Sequence, residues 1–319
     1  MRRWRPWEVL VLANAAVVGS VLALRVGFSV PRSLAAQLPM LAVAGGLVAG
    51  GAGVRALALA LAGGAARARL YLSRMTRPAA LLDLARFVVA LTLVSWSYSW
   101  LKVFVPHLNG WITDPLLAVL DFRIHFGVNP NRFLIELFPS PAFWRFLDVT
   151  YAQFILTMGV AFAWFGSALS RRDRGRFAAG FALLWIAGAW LYVAAPSLGP
   201  CYVFPEDFAA VRPEMPLQTQ TQRLLLVQYD AVTKGSAALG KTGLNSAFGI
   251  AAMPSLHVAG QAFVAFFARR RSPRLAFLFG LFSALTFAGS LISGWHYAVD
   301  GYAGILLAFF AWRLGERMG

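Results

Sequence analysis

Repeated runs of about 20 apolar residues constrain this chain most, because each can cross a hydrocarbon core about 30 Å thick as one helix. They fall at residues 9–24, 38–62, 87–105, 150–169, 177–195, 275–292 and 297–312, with another from Pro254 to the cluster Arg269-Arg270-Arg271. Backbone polar groups find no partner in lipid, so such a chain folds as helices that satisfy their own hydrogen bonds. With 59% of 319 residues apolar and 13% charged, and a mean hydropathy of +0.64, a soluble globular domain is excluded. The expected fold is all-α: a polytopic membrane helix bundle of about eight transmembrane helices, six of them forming a core, with interfacial helices between.

The net charge of +16 would point to nucleic acid in a soluble protein. Here the basic residues cluster between apolar runs, a pattern of membrane orientation and of contact with anionic lipid, and no nucleic-acid partner is expected. Arg67, Arg69, Arg74 and Arg77 form one cluster, and Arg171, Arg172, Arg174 and Arg176 another. An eight-span topology with both termini cytoplasmic puts most Lys and Arg on the cytoplasmic side of a cell membrane. Arg2, Arg3 and Arg5 precede the first run, but no small-x-small cleavage site follows, so that run reads as an uncleaved span. The lone Cys201 offers neither an intrachain disulfide nor a metal-ligand spacing.

Residues 1–83 read as an accessory transmembrane pair and basic connector, with Gly45, Gly46, Gly50, Gly51 and Gly53 allowing close helix contact. Residues 84–319 read as the core. Within it, the turn signals Asn109-Gly110, Asp114-Pro115 and Asn129-Pro130 break 107–148 into short interfacial helices. Residues 196–253 form an extracytoplasmic loop with a helix expected across 218–232, long enough to cover a site.

Two motifs carry chemistry. Met253-Pro254-Ser255-Leu256-His257 opens the sixth span and His296-Tyr297-Ala298-Val299-Asp300 the eighth, so both imidazoles face one extracytoplasmic boundary. On a helix, His296 and Asp300 share a face, and the carboxylate fixes one ring nitrogen while the other is free to attack. Such a pair is equally a structural or capping device. His257 follows Pro254 and Ser255 in a first helical turn, where free N–H groups and the helix dipole favour an anion; a lone interfacial histidine bonded to a loop carbonyl fits the same position.

Together these residues resemble the type 2 phosphatidic acid phosphatase superfamily of membrane phosphatases and phosphotransferases. Pro254-Ser255-Leu256-His257 matches its Pro-Ser-x-His motif, and His296 to Asp300, with Gly301 and Gly304, its final His-x-x-x-Asp motif; the resemblance covers roughly 84–313. Departures are informative. The Lys-x6-Arg-Pro and Ser-Arg elements that grip phosphate in the phosphatase branch are missing: Ser290 stands six residues before His296, Arg212-Pro213 has no lysine seven residues upstream, and Gly199-Pro200-Cys201-Tyr202 stands where related bacterial sequences often have Gly-Pro-Arg-Tyr. His-Tyr-x-x-Asp without that arginine is closest in style to the inositol phosphorylceramide synthase-like branch, and similar to sphingomyelin synthases.

The resemblance implies a lipid phosphotransferase. His296 attacks a phosphodiester, Asp300 stabilises the imidazolium, and His257 serves as general acid and then base through a phosphohistidine intermediate, with no metal and no cofactor. The partners implied are a lipid phosphate or phosphodiester donor and a lipid or polyol acceptor. A lipid phosphatase acting on phosphatidate or polyprenyl diphosphate differs only in using water as acceptor. Candidates for binding phosphate are Ser255, Lys102, Arg212, Arg223, Lys234, Lys241 and Asn245, of which the loop residues read equally as solvated side chains. A transporter or non-catalytic scaffold is the alternative of another class; no internal repeat supports it. A metal or haem site on His257 and His296 lacks further ligands. His107 and His125 read as interfacial, and Trp96, Trp100 and Trp111 as belt or packing residues.

Overall fold

The structure, a computed structural model, describes residues 4–168, 170–234 and 249–319, which are helical with no strand among them. The helices used below are α1 (Pro6–Val26), α2 (Leu38–Gly63), α3 (Pro78–Val103), α4 (Asp114–Ile124), α5 (Pro141–Ala152), α6 (Phe154–Gly166), α7 (Arg171–Ala194), α8 (Pro216–Thr233), α9 (Leu256–Ala268), α10 (Pro273–Ile292) and α11 (Ala298–Met318). Seven of the eight apolar runs correspond to one helix each, α1, α2, α3, α7, α9, α10 and α11, whereas the run 150–169 takes in the end of α5 and all of α6 with a break at Gln153. The chain is a polytopic helix bundle and a multi-pass membrane protein.

Length and composition alone pick out five spans: α1, Val30–Gly63 (which includes α2), α3, α7 and α10. The pair α5 and α6 makes a sixth if counted as one span, bent by 42°. At 13 residues, α9 is only about 20 Å long, and α11 carries Asp300, Arg313, Glu316 and Arg317. Both hold their places by packing. α7, α9 and α11 close around Phe177, Phe263, Phe267 and Ala308, all buried, and α3 and α10 complete the core.

The accessory helices join this core unequally. Asn14 of α1 is buried; its amide donates to Ser97 Oγ of α3 and accepts from Trp190 Nε1 of α7, both at 2.9 Å. In α2 only Val48 and Ala56 are buried, so most of its surface faces outward. Trp96 is buried against Phe28, with its indole N–H on Ser33 Oγ, and is a packing residue.

The two ends of the bundle differ chemically. At one end, ion pairs tie helices together: Arg171 to Asp83 at 2.7 Å, and Arg271 to both Asp173 and Glu316 at 2.8 Å. At the other, α4, Pro130–Leu137 and α8 form a cap of short helices over the N-termini of α9 and α11. The interfacial helices expected in 107–148 are present, although the last, α5, continues into the bent span, and the loop helix runs over α8.

Candidate active site

The two motif helices begin later than the sequence suggests. α9 starts at Leu256, with Ser255 as an extended N-cap (φ −70, ψ 100) and Pro254 outside the helix. Ser255 N–H donates to the Asp300 carbonyl at 2.9 Å, which holds it out of helical geometry. α11 starts at Ala298, with Tyr297 as N-cap, so His296 lies before the helix rather than on its face. Asp300 turns back over the cap instead. Its Oδ2 accepts from Tyr297 N–H at 3.0 Å and lies 3.2 Å from His296 Nδ1. The pair therefore forms through a capping carboxylate, which leaves His296 Nε2 as the free ring nitrogen.

α9 and α11 approach closely because residue 304 is glycine: a Cβ there would lie 2.5 Å from the Ser255 carbonyl oxygen. That approach brings the His257 and His296 rings to 6.5 Å between centroids, their planes inclined at 54°. His257 has no hydrogen-bond partner among the described residues; aromatic faces hold its ring. Tyr151 stacks on it at 5.0 Å, and Phe154 lies at 4.4 Å. These two residues sit either side of Gln153, where α5 and α6 bend. Trp295 extends the aromatic wall, parallel to Tyr151 at 6.5 Å.

The segment carrying His296 is clamped from three directions. Asn131 Nδ2 donates to the carbonyls of Leu291 and His296, Gln222 Nε2 to that of Ser293, and Trp295 Nε1 to Gln218 Oε1. Cys201 N–H donates to the Gly294 carbonyl at 2.8 Å. Gly199 is required beside it, with φ +103 and a Cβ position only 2.5 Å from the Trp295 carbonyl oxygen.

The other candidates divide by location. Lys102, in the last turn of α3, holds its ammonium over the rings of Tyr192 (5.3 Å) and Tyr98 (5.9 Å), close enough to His257 to act on it electrostatically. Arg212 is half-buried and donates to the Cys201 carbonyl at 3.1 Å. Ser255 is fully buried, and its hydroxyl has no partner among the described residues. Arg223 is exposed on α8, and Lys234 is exposed and paired with Asp230 at 3.3 Å. Lys241 and Asn245 lie outside the described residues. Ser290 is buried with its hydroxyl on the Phe287 carbonyl. Burial pushes the Cys201 thiol far above its usual range, so position 201 supplies no charge.

Three buried carboxylates carry no motif that the sequence announces. Asp121 accepts from the N–H groups of Ala298 (2.7 Å) and Val299 (2.8 Å), capping α11 from α4. Burial pushes its carboxyl above the usual range, while those two donors pull it down. Asp114 accepts from Leu198 and Gly199 N–H and from the Tyr297 hydroxyl. Asp148 caps α8 through Leu217 and Gln218 N–H. The available signal was spacing: Asp114 and Asp121 lie seven apart, two turns along one helical face. His125 also has partners, the Asp121 carbonyl at 2.7 Å and the Tyr302 hydroxyl at 3.0 Å, and His107 bonds the Val232 carbonyl.

Residues 116–314, which contain both histidine motifs and their caps, match the PAP2 superfamily. The chain belongs to that superfamily. No curated protein and no solved structure matches it. Membership puts this PAP2 chain among phosphatase- or phosphotransferase-type enzymes acting on lipid phosphates. The match begins within α4, so α1, α2 and α3 lie before it, although α3 contributes Lys102 to the surroundings of His257.

Proposed function

We propose that this PAP2 protein is a lipid phosphotransferase of the inositol phosphorylceramide synthase-like kind, moving a phosphate-containing head group from a lipid donor to an alcohol acceptor. The observation that carries the reading is the His296–Asp300 contact at 3.2 Å opposite the His257 ring. His296 Nε2 attacks phosphorus; the P–N bond forms as the P–O bond to the donor alcohol breaks, and protonated His257 delivers its proton to the departing oxygen. Neutral His257 then takes the proton of the acceptor hydroxyl, whose oxygen forms the new P–O bond as P–N breaks. Asp300 stabilises the imidazolium, and in-line transfer depends chiefly on this positioning and on charge neutralisation.

The charge inventory supports a diester donor. Ser290 and Cys201 are neutral where the phosphatase branch carries arginines, and Lys102, its ammonium over the rings of Tyr192 and Tyr98, is the cation available at the end of α3. A phosphodiester brings one negative charge to neutralise, a phosphomonoester up to two, so one lysine suits the former. Arg212, 3.1 Å from the Cys201 carbonyl, is the second cation in reach of that segment. The aromatic wall of Tyr151, Phe154 and Trp295 favours an alcohol acceptor over water. The basic clusters at the ion-paired end support a topology with that end and both termini in the cytoplasm, and the histidines at the extracytoplasmic face.

The test is purified protein in detergent incubated with phosphorus-labelled phospholipid donors, with and without a lipid alcohol, and chromatography of the products. The expected result is a new phosphodiester that appears only with the acceptor. A water-soluble product as the sole labelled species, with or without acceptor (the phosphorylated head group from a diester donor, free phosphate from phosphatidate), overturns the transferase reading in favour of hydrolysis.

A further inference from the structure

We propose that the tip of α4, residues 122–128, is a hydrophobic wedge seated in the bilayer leaflet at the histidine end of the bundle. The tip is an ordered turn: Gly127 N–H donates to the Phe122 carbonyl at 2.8 Å, Phe126 N–H to that of Arg123, and Val128 N–H to that of His125. This is a helix-ending arrangement whose left-handed position normally holds glycine. Here it holds Phe126, at φ +55, the one non-glycine residue with positive φ among the described residues. Its side chain is 97% exposed, and Phe122, Ile124 and Val128 around it are exposed as well. A bulky aromatic held in a glycine conformation with no protein cover makes no contribution to packing within the fold. It does supply apolar area to a surface outside it.

The position of the tip identifies that surface. His125, within the turn, bonds the Tyr302 hydroxyl at 3.0 Å. Tyr302 begins a stripe on α11 that continues through Leu306, Phe309 and Phe310, all exposed, at the spacing of one helical face. On a membrane-spanning bundle that stripe faces lipid, so the tip lies where the lipid-facing surface starts. Arg123 beside it is exposed, with no ion pair among the described residues, and its long side chain can place a guanidinium at lipid phosphates while its stem stays in the apolar layer. The occupant is therefore the phospholipid bilayer itself. Because Asp121, on the same helix, caps α11, the depth of the wedge fixes the height of the His296–Asp300 pair relative to the head groups.

The seating does not depend on the catalytic reading, and its test needs no activity. Phe126→Cys is labelled with a nitroxide in the full chain reconstituted into phospholipid nanodiscs, and power saturation compares collisions with oxygen and with a polar nickel chelate. Lipids carrying nitroxides along their chains calibrate depth, and the unsubstituted chain, whose only cysteine is the buried Cys201, is the blank. Where Phe126→Cys does not yield folded protein, Val128→Cys reports on the same tip. The expected result is oxygen collision exceeding nickel collision, at a depth just inside the head groups. A label more accessible to nickel than to oxygen puts the tip in water and overturns the proposal.

Discussion

Asp121 touches neither motif histidine, yet the geometry makes it a positioning residue for both halves of the second motif. Its carboxylate holds the first two N–H groups of α11 at 2.7 and 2.8 Å, and Ala298 and Val299 are themselves buried. Hydrogen bonds to a charged acceptor contribute about 1.5–3 kcal/mol each, and part of that offsets the burial of the carboxylate. Asp121→Ala should therefore cost about 3 kcal/mol. If the loss falls on the geometry of His296 and Asp300, kcat drops about 100-fold, with KM little changed because no group that meets the substrate is removed. Asp121→Asn keeps one acceptor oxygen and should fall about 10-fold. Initial rates on donor lipid in mixed micelles, with thermal unfolding of the same preparations, measure both quantities. Asp121→Ala with kcat and unfolding temperature both at wild-type values would mean that this cap neither stabilises the fold nor positions His296.

Lys102→Met should raise KM for a lipid phosphodiester about 10-fold or more, the loss of one charge-assisted contact, with partial rescue by Lys102→Arg; unchanged KM in a titration of donor removes Lys102 from the phosphate. Gly199→Ala should destabilise by about 1–3 kcal/mol from backbone strain alone, and more from the overlap with the Trp295 carbonyl, read as lost folded yield or a lowered unfolding temperature. Asn14→Leu removes the buried bridge from α1 to α3 and α7 and should cost about 1 kcal/mol, seen as earlier thermal unfolding in detergent with kcat retained; unchanged stability means that the bridge contributes nothing net.

Much of the bundle was legible because lipid leaves the chain few choices: an apolar run of sufficient length becomes helical, and seven of the eight runs lie in one helix each while 150–169 is broken at Gln153. What composition could not supply was the reason α9 and α11 belong with the others, since one is short and the other charged. Their membership comes from packing, including the approach allowed by Gly304. The His296–Asp300 pair was legible from spacing, although its geometry is that of a cap rather than a helical face. The meeting of His257 with His296 depends on how two distant helices cross, and no local pattern encodes it. The aromatic cradle of Tyr151 and Phe154 depends on the bend at Gln153, which carries neither Pro nor Gly to announce it. Asp121 and Asp114 were hidden for a related reason: a carboxylate that caps another helix looks, in sequence, like a turn residue.

In the proposed reaction phosphorus passes through His296. Incubating the protein with phosphorus-labelled donor, quenching in alkali and mapping the labelled peptide tests it most directly. The expected result is an acid-labile, alkali-stable label on the peptide that contains His296, absent from His296→Ala and retained in His257→Ala when the donor has a good leaving group. Label that persists in His296→Ala, or turnover by His296→Ala at the wild-type rate, would contradict it.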